Sequence, residues 1–426
     1  MNRAQRLDAW LADHVLVVAL VMSGWFALAA WHLVPAGLVT PDGHLIDPST
    51  TDPHGYNVWA YAHFAYSDIY RLYAERNLYG HPLPYLHARI EYPVITGLFM
   101  WLASFAPGAN GDFVASAVGL WLAGLVSLFG LRRLLPRRYH WFGLSPLLFV
   151  FSLLNWDLLG ICFLVVGLVM VRDERFTLAG VALALGTCAK LFPVVLVPFL
   201  VTRLVRDEGF GSTRLRGFVT GFAAACVVVN APFAIAAFHN WSFFFSFNAV
   251  RSGSGVLGVL GSHQGIEDAL IGLVVLAVLG IGIRSVLRGG SVERAATLTF
   301  VVFLLVNKVY SPQYTLWLFV FALVAEWPLW TLGMLWLVGI GDYFGQFADL
   351  YITNTSVGSN AVTTWWASNV GPWESRLRDL GIVAASFGAW LGRPGPPEPV
   401  PARRTSPVAA VAHQGDALLA SGTEGR

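Results

Sequence analysis

The sequence predicts an all-α polytopic membrane protein, and three observations carry that expectation. Charged residues are only 12% of the 426-residue chain, whereas hydrophobic residues reach 56% and the mean hydropathy is +0.61. Soluble domains carry roughly twice that charge, about 25%. Apolar segments recur along the chain, separated by short polar hairpins, and arginines cluster in alternate hairpins. With 27 Lys+Arg against 25 Asp+Glu the net charge is only +2. This composition excludes a cytosolic globular enzyme, a disordered chain and a nucleic-acid binder.

Residues 1–14 form a short polar start with Arg3 and Arg6 and read as a cytoplasmic N-terminus. The apolar run 15–34 follows without a small-residue cleavage site at the right distance, so it reads as a retained first helix. Residues 35–89 are largely polar. Further apolar runs cover 113–131, 141–154, 158–171, 178–189, 192–204, 217–238, 269–283, 295–307, 315–326, 329–343 and 380–391. With the N-terminus inside, twelve crossings place the arginine clusters at 132–138, 172–175, 203–216, 284–294 and 403–404 on the cytoplasmic side. That count requires residues 92–106, bracketed by Pro93 and Pro107, not to cross. The segment is shorter than the ~20 residues a span needs, so it is expected to be re-entrant or interfacial. The domain reading is therefore a transmembrane domain over 15–391, a large first extracytoplasmic loop with interfacial helices over 35–111, and a disordered cytoplasmic tail over 392–426, rich in Pro, Ala and Ser.

Several expected crossings hold only 12 to 15 apolar residues and end in polar tips. Polar backbone at membrane depth is tolerated where it lines a cavity, so an outer-face cavity is expected. Asp68 lies in an amphipathic stretch, 58–79, with Tyr66, Tyr70 and Tyr73 nearby, as on an interfacial helix with aromatic anchors. Such a carboxylate is placed to act as a general base, or simply to cap and solvate its helix. Glu91, in Glu91-Tyr92-Pro93, has two readings as well: a helix N-terminal acid or a ligand for a sugar hydroxyl.

The basic residues are lopsided, with only two lysines, Lys190 and Lys308. Each ends an apolar run at the outer face, against the positive-inside tendency. A cation at a helix C-terminus is mildly favourable, worth ~0.3–1 kcal/mol. An ionisable group at membrane depth is also a functional candidate, and an ammonium suits a phosphate. Arg251, in a Gly/Ser-rich outer loop, is a third candidate for phosphate. Asn155-Trp156-Asp157 form an outer hairpin whose aromatic face and acceptors suit a sugar, although interfacial Trp also serves as an anchor. The outer histidines (His63, His81, His87, His239, His263) show no ligand spacing, and Cys162, Cys188 and Cys226 lie singly in apolar runs, so neither a metal nor a disulfide framework is expected.

The order Asp68, Glu91-Tyr92-Pro93, Asn155-Trp156-Asp157, Ala189-Lys190-Leu191-Phe192-Pro193 and Lys308-Val309-Tyr310-Ser311-Pro312-Gln313-Tyr314 resembles glycosyltransferase family 87, the polyprenyl-phosphate-mannose-dependent mannosyltransferases of actinobacterial envelopes, over roughly residues 15–391. The resemblance implies the GT-C architecture with an extracytoplasmic active site in the plasma membrane. It implies a sugar donor on a lipid monophosphate, a lipid or glycan acceptor, and an inverting transfer without metal or other cofactor. The family's essential aspartate matches Asp68. Where some lipid-mannosylating relatives carry a His after the proline matching Pro312, this chain has Gln313 and Tyr314, which changes the expected acceptor side. Lys308, Lys190 or Arg251 would hold the donor phosphate, and Glu91, Tyr92, Asn155, Trp156, Asp157, Gln313, Tyr314 and Tyr66 would shape the sugar and acceptor sites. An arabinofuranosyltransferase using polyprenyl-phosphate arabinose and a lipid-linked-sugar flippase are the alternatives; the lack of a visible repeat between the halves counts against the flippase.

Overall fold

The computed structural model describes residues 3–47, 54–251, 264–354, 365–366 and 368–391; the tail expected at 392–426 lies outside them. Helices dominate, and among the described residues the extended pairings are two isolated bridges, Val39 with Leu45 and Pro84 with Ala88. In chain order the helices are α1 (Arg3–Asp13), α2 (Val15–Leu33), α3 (Tyr56–Ala62), α4 (Asp68–Glu75), α5 (Val94–Ala103), α6 (Gly108–Leu134), α7 (His140–Gly143), α8 (Leu147–Phe151), α9 (Asp157–Arg172) and α10 (Phe176–Ala189). They continue as α11 (Val197–Glu208), α12 (Thr213–Ala236), α13 (Phe238–Trp241), α14 (Phe243–Val250), α15 (Gln264–Leu287), α16 (Val292–Val306), α17 (Tyr314–Val324), α18 (Leu329–Asn354) and α19 (Gly371–Leu391).

Four of these are long and apolar enough to cross a membrane by length and composition: α2, α6, α12 and residues 265–287 of α15. The termini follow the helix dipole. Helix α9 opens on Asp157 and closes on Arg172, and α6 closes on Arg132 and Arg133. Ser212 caps α12 by accepting from the Arg214 and Leu215 N–H groups, and Ser291 caps α16 through Arg294 N–H.

Three runs that read as continuous are broken. Residues 141–154 form α7 and α8, because Pro146 has no N–H with which to continue the first helix. The run 192–204 starts as a 3₁₀ turn, Phe192–Leu196, before α11, with Pro193 and Pro198 at the two starts. The amphipathic stretch 58–79 divides into α3 and α4, separated by a bend in which Phe64 takes the left-handed φ of 52°. Helix α5 has ten residues. It is therefore about 15 Å long, half of the ~30 Å hydrocarbon layer.

Helices α10 and α12 pack backbone to backbone. A Cβ on Gly180 would lie 2.2 Å from the Phe218 carbonyl oxygen, and one on Gly221 would lie 2.3 Å from that of Thr177. Any larger residue at either position forces the pair apart. This contact closes one wall beside the site. The other wall is the first loop, which is bolted to the α8–α9 connection: Ser67 Oγ donates to Leu153 O at 2.6 Å and Asp68 N–H to Leu154 O at 2.8 Å. Those two bonds bring residue 68 to residues 155–157.

Candidate active site

Asp68 is the first residue of α4. Ser67 caps that helix through Ile69 N–H, and Tyr56 OH braces Ser67 by donating to its carbonyl and accepting from its N–H. Both carboxylate oxygens of Asp68 receive a phenol: Tyr66 OH donates to Oδ1 at 2.7 Å and Tyr92 OH to Oδ2 at 2.6 Å. Burial, and after it the Asp68 charge, push both phenols well above the usual tyrosine range, so they stay protonated and keep donating. Each carboxylate oxygen has a second lone pair, which leaves Asp68 able to accept a further hydroxyl.

Arg71 extends the array. Its Nη1 donates to Tyr66 OH at 3.1 Å and its Nε to Glu75 at 2.6 Å. The i,i+4 spacing of Arg71 and Glu75 is readable from sequence, whereas the Arg71–Tyr66 bond, five positions back, is not. On the other side, Lys190 Nζ lies 4.1 Å from the centroid of the Tyr92 ring and 2.6 Å from Asp157 Oδ1. Lys190 and Asp157 are both buried. Thus the first loop (Asp68, Tyr66, Tyr92), the start of α9 (Asp157) and the residue after α10 (Lys190) converge.

The remaining predicted residues divide clearly. Asn155 Oδ1 accepts the Asp157 N–H at 3.1 Å, tying the hairpin to the first residue of α9, and its side-chain nitrogen is buried without a partner among the described residues. Trp156 is fully buried, so it offers no face to a sugar; its ring meets Tyr92 edge-on at 5.4 Å. That corrects the expectation of direct stacking: the hairpin folds inward because Trp156 sits in the hydrophobic core. Glu91 is held by the Arg76 guanidinium, which donates Nε at 2.7 Å and Nη2 at 2.8 Å, and the residue preceding α5 is Pro93, not an acidic cap.

Lys308 bridges two segments, donating to Ala249 O at 2.7 Å and pairing with Asp268 at 2.8 Å. Arg251 is exposed and lies over the Phe247 ring at 5.7 Å. Gln313 is buried ahead of α17. Tyr314 stacks on Trp317 at 4.2 Å and is within electrostatic reach of Asp157, Arg251 and Asp68. Beneath this segment lies a cluster not anticipated from the sequence: buried Arg378 sits 3.8 Å from the Tyr310 ring centroid and faces buried Asp342 at 3.5 Å. Charged residues inside apolar runs are a signal for such a cluster. Among the described residues no three His, Cys, Asp or Glu side chains gather as metal ligands.

A groove of about 440 Å³ opens on the flank of Tyr92 and Pro93, lined by Cys188, Leu191, Cys226, Val227 and Phe245 among others, and its walls are almost entirely apolar. Several of these residues are exposed to the surroundings, Val227 at 61% and Phe245 at 50%. Its shape and chemistry suit an alkyl or isoprenoid chain.

An all-helical chain with membrane-length apolar helices, a braced carboxylate and an apolar side groove defines a membrane protein with a built polar site. The sequence matches the description of glycosyltransferase family 87 over residues 91–312, just over half of the chain. The chain belongs to that family, and is thereby a membrane glycosyltransferase that uses a sugar donor and an acceptor. The match is narrower than the 15–391 span of the motif order and leaves Asp68, Gln313 and Tyr314 outside it. No curated protein and no solved structure matches the chain.

Proposed function

We propose that this enzyme transfers mannose from a polyprenyl-monophosphate donor to a lipid or glycan acceptor on the extracytoplasmic side of the plasma membrane, with inversion. The observation that carries the reading is Asp68, its two oxygens fixed by Tyr66 and Tyr92, with Tyr92 also forming part of the apolar groove. The helix directions support the side: α6, α9 and α15 end in arginine-bearing turns, and Asp157, Lys190 and Lys308 belong to the opposite ends of the bundle.

The donor's chain lies in the groove and brings the sugar to Tyr92. The acceptor hydroxyl binds the free lone pair of Asp68. As its oxygen attacks the anomeric carbon, the hydroxyl proton passes to Asp68. The bond from that carbon to the phosphate oxygen breaks on the opposite face, and its electron pair leaves with the phosphate. Lys190, fixed by Asp157 and the Tyr92 ring, borders this path, and Arg251 and Lys308 flank it. Trp156 acts through Tyr92, while Asn155, Gln313, Tyr314 and Glu91 belong to the walls.

The test is transfer by purified protein in lipid, with radiolabelled polyprenyl-phosphate mannose and an envelope-lipid extract. Wild type is expected to form a labelled product, and Asp68→Asn to lose ~10²–10⁴ in rate. Near-normal transfer by Asp68→Asn would remove Asp68 from the role of base, and label moving only from a pentose donor would replace the sugar.

A further inference from the structure

The two lysines expected to hold phosphate already have carboxylate partners, Asp157 for Lys190 and Asp268 for Lys308. A different pair of basic groups has none. Arg89 Nη2 donates to His239 Nε2 at 2.6 Å, and among the described residues no carboxylate forms an ion pair with either side chain. Both are exposed. Because Nε2 accepts from Arg89, the imidazole carries its hydrogen on Nδ1 and has a second donor to offer. A guanidinium spending an N–H on an imidazole has kept its better partners, carboxylate or phosphate, in reserve.

Neither side chain lines the apolar groove, but each lies next to chain segments that do. Arg89 lies in the segment between Tyr85 and Tyr92, both of which line the groove, and His239 lies on α13 beside Trp241, another lining residue. The pair joins segments 150 positions apart. Asn240 Nδ2 donates to Leu86 O at 3.3 Å, and Trp241 Nε1 donates to Asn230 Oδ1 at 3.1 Å, which fixes α13 to the 85–92 segment on one side and to α12 on the other. Phe243 lies under the guanidinium at 5.8 Å. An apolar trough with an uncompensated basic pair near it matches one kind of molecule: a long apolar chain ending in a phosphate.

We propose that Arg89 and His239 form the docking site for the phosphate of a long-chain lipid phosphate whose chain occupies the adjacent groove. This deepens the donor reading and rests on it, because Tyr92, which holds Asp68, lines the groove. The phosphate takes the Arg89 fork in place of the imidazole, and His239 donates through Nδ1–H. Ordinary phospholipids share the phosphate but carry two acyl chains. The continuity of the groove with Tyr92 favours a single-chain isoprenoid phosphate.

The experiment is direct binding of polyprenyl phosphate, without sugar, to the purified full chain in nanodiscs of neutral lipid, with neutral polyprenol, phosphatidylglycerol and inorganic phosphate as the comparison arms. Wild type is expected to bind polyprenyl phosphate at least about tenfold more tightly than polyprenol, one bidentate charged contact being worth at least ~1.4 kcal/mol. R89A/H239A is expected to lose that difference while binding polyprenol as before, and R89K to recover only part of it. Asp68→Asn is expected to bind polyprenyl phosphate like wild type. Equal binding by wild type and R89A/H239A would overturn the proposal, as would equal preference for phosphatidylglycerol, or full displacement by inorganic phosphate at millimolar concentration. The assay contains no sugar and no turnover. Failure of the mannosyl-transfer reading would therefore leave its outcome readable, and failure of the basic pair would show while transfer still runs.

Discussion

Tyr92 donates its phenolic hydrogen to Asp68 Oδ2 at 2.6 Å while its ring faces the Lys190 ammonium at 4.1 Å. One side chain therefore orients the carboxylate and seats the cation. Tyr92→Phe removes the first function and keeps the second, because the ring, its contact with Trp156 and its place in the groove are unchanged. A hydrogen bond to a charged group is worth ~1.5–3 kcal/mol, which is roughly 10- to 150-fold in rate at 1.36 kcal/mol per decade. The expected result is a fall in kcat of that size with KM little changed. Tyr66→Phe is expected to act in the same direction, and the double variant to lose less than the product of the singles, because both phenols hold the same carboxylate. Full additivity in a transfer assay would count against the shared clamp.

The Asp157–Lys190 pair makes a stability prediction with a sign that depends on how it is broken. Both partners are buried, at 0% and 6% side-chain exposure. Lys190→Met alone strands a buried carboxylate, and Asp157→Leu alone strands a buried ammonium. Each is expected to cost ~3–5 kcal/mol, whereas the double replacement is expected to cost far less. Denaturant unfolding in detergent, followed by an α9 or α10 probe, measures all three. The double variant then separates folding from chemistry: if Lys190 supplies charge to the leaving phosphate, it folds well and transfers poorly.

How much of this was legible beforehand differs from residue to residue. The helical membrane class followed from composition, and Asp68, Tyr92, Asp157 and Lys190 were all singled out, because acids, lysines and tyrosines at apolar boundaries stand out in a sequence. Their convergence was not readable. It depends on Ser67 and Asp68 bonding the carbonyls of Leu153 and Leu154, and backbone acceptors leave no mark on residue identity. Trp156 was misjudged because hydropathy distinguishes neither the inner from the outer face of a hairpin nor a core Trp from an interfacial one. The Arg378–Asp342 pair was not legible because Asp342 stands alone in its apolar run, Arg378 lies in a charged stretch with Asp379 beside it, and the two are 36 residues apart. Only the packing of α19 on α18 makes them a pair.

The groove predicts protection of a thiol. Cys226 lines it and is partly accessible, whereas Cys188 beside it is buried. In a Cys162→Ala, Cys188→Ala background Cys226 is the sole thiol. Its alkylation by a membrane-permeant maleimide is expected to slow roughly tenfold when polyprenyl phosphate is present at about ten times its Kd. Inorganic phosphate at the same concentration is expected to have no effect, because it cannot cover an apolar wall. An alkylation rate indifferent to the lipid would place the chain somewhere other than against α10 and α12.

Glu91 tests whether a boundary acid serves structure or substrate. The Arg76 fork occupies both of its oxygens, at 2.7 and 2.8 Å, with the carboxylate 12% and the guanidinium 26% exposed. Glu91→Gln keeps the shape and loses the charge, and is expected to cost about 1 kcal/mol, seen as a fall of a few degrees in Tm, with KM unchanged. The swapped pair Arg76→Glu with Glu91→Arg is expected to regain most of that Tm, since the fork can form in the opposite sense. A swap that restores Tm while KM for the acceptor remains raised would show that Glu91 touches the sugar as well as Arg76. Recovery of both would leave it as the strut that holds the approach to Tyr92, joining the end of α4 to the start of α5.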